Sequence, residues 1–151
     1  MHLPDADATT AFGARLARVI GPGLSLHLHG DLGSGKTTLA RGLLRGLGFA
    51  GRVKSPTYTL VEVYTVSRLN LYHFDFYRFR EPKEWRDAGF DEYFNDASVC
   101  LVEWPEKAAG LLPAADLDIA FEFAGDGRDL SVRAGTESGK ACLNRLMQMP
   151  L

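Results

Sequence analysis

The residues most suited to chemistry lie in a glycine-rich stretch that ends in a lysine and two threonines. Residues 30–37 read GDLGSGKT and match the pattern G-x-x-x-x-G-K-[ST] in full. The glycines allow the backbone to turn its N–H groups inward around an anion. The lysine can reach the β- and γ-phosphates of a nucleotide, and the next hydroxyl can join the Mg²⁺ shell. The stretch therefore predicts a nucleotide-phosphate site formed by Gly30, Asp31, Leu32, Gly33, Ser34, Gly35, Lys36, Thr37 and Thr38.

A phosphate site of this kind also needs an acidic residue at the end of a neighbouring strand to hold Mg²⁺. Glu103 directly follows the apolar run Val99–Val102, and Asp75 ends the segment 71–75. Both carboxylates are candidates for the same site. Their spacing leaves open which of the two would touch the metal directly.

Polar residues on either side of these strands are candidates for completing the site. Thr57 follows Pro56, which restrains the loop, and its hydroxyl can sense Mg²⁺ or the γ-phosphate. A simple turn before a strand explains this threonine equally well. Arg78 and Arg80 follow Asp75 closely and can stabilise a transferring phosphate, although two solvated arginines are the simpler interpretation.

A strand before the glycine-rich stretch and a helix after it must position these groups. Residues 24–29 (LSLHLH) alternate in polarity, which is typical of a strand with one apolar face. The spacing of the following leucines predicts a helix from about Lys36 that ends near Gly48. Apolar residues between 12 and 20 predict an earlier helix, with Thr9 or Thr10 as its N-terminal cap.

Beyond residue 50 the sequence indicates strands interspersed with helices. Segments 58–64 and 71–76 are predicted strands joined by a loop over 65–70, and 98–102 is a predicted buried strand. Strand patterns at 117–123 and 130–132 flank a turn at 125–128, and helices are expected over 82–88 and 140–149. We therefore predict an α/β fold of the P-loop NTPase type, with a mixed, mainly parallel sheet, helices on both faces, and a single domain over 1–151.

Composition excludes several classes of protein. The 151 residues are 46% hydrophobic but contain no run near the roughly 20 apolar residues of a membrane-spanning helix, and the N-terminus lacks signal-peptide features. A net charge of −2 argues against bulk electrostatic binding of nucleic acid, although residues 1–90 carry 12 Lys and Arg against 8 Asp and Glu. The spacing typical of metal ligands is absent from the histidines at 27, 29 and 73 and from the two cysteines, Cys100 and Cys142. Two cysteines are also too few for a disulfide framework, so we expect a cytoplasmic protein with free thiols.

Four ordered segments resemble the bacterial TsaE (YjeE) ATPases. They are residues 30–38, 53–62, 73–78 and 101–106, and the similarity extends over about residues 3–135. Ser34 stands where the family commonly has Ala, and Phe76 where Leu is usual, but neither is a proposed ligand. The resemblance implies that residues 4–10 contact the base. It also implies catalytic roles for Lys36, Thr57, Asp75 and Glu103, metal ligation by Thr37 and Glu103, and coupling through Trp104, Arg78 and Arg133.

The resemblance implies a small ATPase, using ATP and Mg²⁺, that is required for threonylcarbamoyladenosine modification of tRNA next to the anticodon. Family members act with the TsaB–TsaD complex, so tRNA is expected to be reached indirectly, with no membrane or DNA partner. The residues alone leave three alternatives open. These are a small-molecule P-loop kinase with an arginine lid (Arg78, Arg80 and Arg86), a GTP switch, which the lack of an N-K-x-D signature disfavours, and a nucleotide-binding scaffold without turnover.

Overall fold

A seven-stranded mixed sheet forms the centre of the computed structural model, which describes residues 1–150. The strands are β1 (His2–Leu3), β2 (Ser25–His29), β3 (Val61–Val66), β4 (Leu69–Asp75), β5 (Ser98–Glu103), β6 (Leu117–Ala124) and β7 (Gly127–Ala134). The helices are α1 (Ala6–Ala17), α2 (Lys36–Gly46), α3 (Glu84–Asp87) and α4 (Glu137–Gln148). The strand order is β1-β7-β6-β2-β5-β4-β3, parallel in the four central strands and antiparallel at both edges. This arrangement confirms the predicted α/β fold.

One face of the sheet is aliphatic and is covered by α1, α2 and α4. Leu26 and Leu28 of β2 and Leu101 of β5 point to this face and are fully buried. Burying each such side chain stabilises the fold by roughly 1.5–3 kcal/mol before conformational entropy is counted. The helices contribute Phe12, Leu16, Leu39, Leu43, Cys142 and Leu146 to the same cluster.

The other face is aromatic and is covered by the segment between β4 and β5. Phe74 of β4 packs among rings of this segment, including Phe76 and Phe79, whose stacked centroids are 4.6 Å apart. Only four-residue helices cover this face, namely α3 and the 3₁₀ helices 90–93 and 105–108. Cys100 lies within the aromatic cluster, and burial raises the pKa of its thiol to about 12.

The boundaries of α1 and β3 differ from those expected. Asp5, rather than Thr9 or Thr10, caps α1, because its carboxylate accepts a hydrogen bond from the Ala8 N–H at 2.8 Å. The strand expected from residue 58 begins at Val61, because the preceding residues form a turn in which the Leu60 N–H donates to the Pro56 carbonyl.

The connection between β3 and β4 is shorter than the expected loop over 65–70. Val66 and Leu69 are register partners, which leaves Ser67 and Arg68 as a two-residue turn. Both residues have positive φ, 52° and 62°, as a type I′ hairpin turn requires. Sequence reasoning missed this turn because neither residue is the glycine or asparagine that usually marks it.

The C-terminal elements also begin earlier than expected. Strand β7 starts at Gly127, inside the turn predicted for 125–128. Helix α4 starts at Glu137 rather than 140, because the Thr136 hydroxyl accepts a hydrogen bond from the Gly139 N–H at 3.0 Å. The longest helices have 12 residues, and none within 1–150 has the length and apolarity to cross a membrane.

Helices α1 and α2 approach each other closely at two glycines. A Cβ added to Gly42 of α2 would lie 2.9 Å from the carbonyl carbon of Thr10, and one added to Gly13 of α1 would lie 2.8 Å from the Leu43 nitrogen. Because these neighbours are backbone atoms, a side chain at either position would push the helices apart.

We expect Gly42→Ala to lower the free energy of unfolding by about 1–3 kcal/mol, because the overpacking outweighs the gain in helix propensity of roughly 1 kcal/mol. Urea unfolding followed by circular dichroism measures the change. Gly21→Ala is the matched control, since a Cβ there meets nothing within 4 Å. Equal stability of the two variants would contradict the close approach.

Candidate nucleotide-binding site

The glycine-rich stretch connects β2 to α2, in the position that the sequence predicts. Gly30, Gly33 and Gly35 have φ of 151°, 78° and 112°, a region in which a Cβ is unfavourable. Gly30 also has no room for a side chain, because a Cβ there would lie 2.6 Å from Ser34 Oγ and 3.1 Å from Phe121 Cβ. Glycine is therefore the residue best suited to the backbone of this loop, and Gly30 also lacks space for a side chain.

The first turn of α2 has N–H groups free to bind an anion. Its N-terminal cap is Gly35, which provides no side-chain hydrogen bond to the helix. The neighbouring Ser34 is 1% exposed and its buried Oγ has no hydrogen-bond partner. A helix N-terminus with uncapped N–H groups and a positive dipole end suits a phosphate group.

Lys36 is buried beside this turn. Its Nζ donates a hydrogen bond to the Gly30 carbonyl at 2.6 Å and lies 4.1 Å from the centroid of the Trp104 ring. Burial lowers the pKa of Lys36, while the nearby Glu103 and Asp75 carboxylates oppose that shift. The ammonium thus lies in a low-dielectric setting, where its attraction to an anion is stronger than in water.

The two predicted acidic residues lie next to each other at the same edge of the sheet. Asp75 ends β4, Glu103 ends β5, and they are register partners, each 4% exposed. Burial raises the pKa of Asp75, opposed by a hydrogen bond from the Tyr77 N–H at 2.9 Å. Both carboxylates line a pocket of about 310 Å³ whose other walls are Leu32, Gly33, Ser34, Gly35, Lys36, Thr37, Thr38, Ser55, Thr57 and Trp104.

Thr57 lies close to Asp75 although the two are 18 residues apart. Its Oγ1 donates to Asp75 Oδ2 at 3.4 Å and is 2.8 Å from Ser55 Oγ. The hydroxyl therefore faces the carboxylates across the pocket, as a switch residue would.

Trp104 lies at the pocket rather than in the core. It follows β5 with a left-handed backbone, φ 58°, which re-aims the chain directly after Glu103. Its ring covers Lys36 Nζ and packs against Tyr77, with centroids 5.0 Å apart. Any movement of the Lys36 ammonium would therefore change its contact with the Trp104 ring.

His73 is a site residue that sequence reasoning missed. It is fully buried, and its Nε2 is 2.6 Å from Glu103 Oε2. The spacing of the histidines argues against a metal site at His73, and this imidazole instead contacts Glu103, a candidate metal ligand. Strand alternation provided a signal, because residues 73 and 75 must point to the same face.

Arg128 at the start of β7 is a second missed residue. Its guanidinium donates to the carbonyls of Ser34 at 3.0 Å and Gly33 at 3.1 Å, and it packs over the Phe123 ring. Two carbonyls of the glycine-rich loop are thereby held by the β6–β7 hairpin.

Arg128 also borders a second pocket of about 220 Å³ across the loop, lined by Leu3, Asp5, Ala6, Thr9, Gly33, Ser34, Gly35, Thr38, Asp126 and Gly127.

Four predicted arginines lie outside the pocket of Lys36. The exposed Arg78 packs over the Tyr58 ring at 4.2 Å, and neither Arg80 nor Arg86 lines the pocket. The structure therefore does not bring together the arginine lid that a kinase would need. Arg133 is exposed on β7 opposite Asp118 and lines neither pocket.

His27 and His29 lie on the aromatic face of the sheet, and neither lines the pocket of Lys36. His29 Nε2 is 2.8 Å from Asp118 Oδ1, and burial lowers the pKa of His27 to about 4. Within residues 1–150 no group of three His, Cys, Asp or Glu side chains is arranged to hold a metal ion. The Thr37 hydroxyl with one or two carboxylates instead suits Mg²⁺, which binds through few protein ligands together with phosphates.

Comparison with known proteins finds relatives that match most of this chain. The family model described as threonylcarbamoyl adenosine biosynthesis protein TsaE matches residues 3–130. A Haemophilus influenzae protein named tRNA threonylcarbamoyladenosine biosynthesis protein TsaE is 44% identical over 147 residues, covering 92% of this chain and 91% of its own. A Bacillus subtilis protein of the same name is 43% identical over 120 residues, covering 80% and 75%.

A solved structure extends the agreement to the fold. The crystal structure of Bacillus subtilis YdiB superposes with a TM-score of 0.85 at 33% identity, covering 98% of this chain and 93% of that one. Sequence and fold therefore lead to the same assignment. The chain belongs to the TsaE family, whose role is in threonylcarbamoyladenosine biosynthesis on tRNA.

Proposed function

We propose that this chain is a single-domain, cytoplasmic P-loop ATPase that supports threonylcarbamoyladenosine modification of tRNA and acts with the TsaB–TsaD complex. One observation carries the proposal. Lys36, Thr57, Asp75 and Glu103 converge on one pocket beside an uncapped helix N-terminus. ATP with Mg²⁺ would supply the transferable phosphoryl group in that pocket.

The residues divide into binding and reaction roles. The backbone of residues 30–35 with Lys36 would hold the phosphates, and Thr37 with Glu103 would hold Mg²⁺. Asp75, whose pKa burial raises, would orient the attacking water together with the Thr57 hydroxyl. The second pocket, across the glycine-rich loop, is the place where we expect the base, next to Asp5 and Thr9.

The contacts of Lys36 lead us to expect low activity of the isolated chain. Its ammonium is held by the Gly30 carbonyl and covered by Trp104, so a phosphate must compete with both. A partner that moves Trp104 would release Lys36 for the reaction. This contact gives TsaB–TsaD a physical route to control turnover.

We expect Lys36→Ala to keep the fold but to weaken ATP binding at least about tenfold, because a buried charge-assisted contact to phosphate is lost. Titration with a fluorescent ATP analogue measures the affinity, and circular dichroism checks the fold. Lys83→Ala, an exposed lysine outside the pocket, is the control. Unchanged affinity of the Lys36 variant would show that phosphate binds elsewhere.

His73 tests the role of Glu103. Removing the imidazole in His73→Phe leaves the Glu103 carboxylate without its buried partner, so we expect the Mg²⁺ concentration for half-maximal turnover to rise about 10–100-fold. His73→Gln can restore a hydrogen bond to Glu103 and should therefore reverse part of this rise in the Mg²⁺ requirement. Glu103→Ala shows the largest rise that loss of the carboxylate can cause. The same Mg²⁺ dependence in His73→Phe and the unmodified protein would contradict this arrangement.

Partner control is tested by measuring steady-state ATP hydrolysis with and without TsaB–TsaD, using Lys36→Ala as the blank. We expect the complex to raise the rate at least about tenfold, since chemistry in the isolated chain is limited by the held lysine. A fast rate that TsaB–TsaD does not change would reject the proposed function. Phosphate transfer to a metabolite instead of water would favour the kinase.

A further inference from the structure

Five exposed basic residues from three segments form a surface beside α2, which we call the basic surface. Arg41 and Arg45 are one turn apart on the solvent side of α2, Arg52 and Lys54 follow it, and Arg68 is at the tip of the β3–β4 hairpin. All five lie outside the nucleotide pocket. The function proposed above uses none of them.

Specific contacts hold the three segments together. Arg45 donates to the carbonyls of Phe49 at 2.9 Å and Gly51 at 2.6 Å, which fixes the segment leading to Arg52. The hairpin tip is tied to the end of α2 by a hydrogen bond of 3.0 Å from Ser67 Oγ to the Leu47 carbonyl. The basic surface is therefore part of the folded structure rather than a set of unrelated side chains.

The charge of this region is unbalanced. Between residues 36 and 70 there are six Lys and Arg but only one carboxylate, Glu62, in a chain whose net charge is −2. Glu62 accepts a hydrogen bond from Thr59. No salt bridge within the described residues involves any of the five basic side chains of the surface. Unneutralised charge of one sign on one surface is suited to a polyanionic partner.

The hairpin tip adds an independent observation. Ser67 and Arg68 adopt positive φ, where a non-glycine residue costs roughly 1 kcal/mol. Asn-Gly is the usual choice for such a turn and would fold at lower cost. An exposed arginine in a strained position is better explained by a contact outside the chain than by stability.

We propose that the basic surface binds the phosphate backbone of RNA, so that this chain contacts tRNA directly rather than only through its partners. RNA is favoured among polyanions because the family role is in tRNA modification. Lys54 precedes Ser55, which lines the nucleotide pocket, so bound RNA would adjoin a loop that faces the nucleotide. This proposal does not depend on ATP hydrolysis.

The test measures binding of fluorescently labelled unmodified tRNA by anisotropy over a range of salt concentrations, with the full chain. The triple variant Arg41→Gln/Arg52→Gln/Arg68→Gly should bind at least about tenfold more weakly at low salt. Its plot of log affinity against log salt should be shallower by about two to three, one unit for each lost phosphate contact. Arg45 is left in place because its guanidinium donates to the Phe49 and Gly51 carbonyls, and Lys54 because it adjoins Ser55 of the nucleotide pocket.

Two further variants make the outcome decisive. Arg68→Gly alone, which keeps the hydrogen bond of Ser67 to the Leu47 carbonyl, should raise the melting temperature while weakening tRNA binding, which separates recognition from folding. Lys83→Gln/Lys107→Gln/Lys140→Gln removes the same charge elsewhere and should bind tRNA normally. Equal loss in this control, or full binding by the first triple variant, would overturn the proposal. Affinity for the fluorescent ATP analogue should stay unchanged throughout, so failure here leaves the proposed ATPase intact.

Discussion

The parallel pairing of β2, β5 and β4 is the constraint on which the candidate site depends. Parallel strands bring their carboxyl ends to one edge, so the glycine-rich loop after β2 must lie beside Glu103 and Asp75. These residues are up to 73 positions apart in sequence. The register of the parallel pair β4 and β5 nevertheless places Asp75 opposite Glu103. A slip of either strand by one residue would turn its carboxylate to the aromatic face. Side chains buried on both faces hold the register.

Local patterns in the sequence were enough to predict the central elements and the glycine-rich loop. The glycines of the loop motif favour its conformation, and an acidic residue directly after a short apolar run is typical of a strand end. Contacts between distant segments were not predictable in this way. The hydrogen bonds of Arg128 to the loop carbonyls join residues about 95 positions apart, and His73 reaches Glu103 only through strand pairing.

The smaller errors have local physical causes. Helix α1 and helix α4 each begin earlier than expected because a side chain outside the apolar pattern, Asp5 or Thr136, provides the cap. The turn at Ser67 and Arg68 was missed because its residues are unfavourable for the conformation they adopt.

The charge balance of the pocket is consistent with the proposed cation, since two buried carboxylates face a single buried ammonium. That excess of negative charge favours Mg²⁺ in the same place.

Both cysteines lie inside the protein, one in each hydrophobic cluster. Burial raises the pKa of each thiol, so neither is present as the reactive thiolate at neutral pH. A cysteine introduced on the surface would therefore be the one that a maleimide dye modifies. Spectroscopic probes can be attached to the hairpin tip and to the glycine-rich loop, and the distance between them followed, in a protein that keeps both of its natural cysteines.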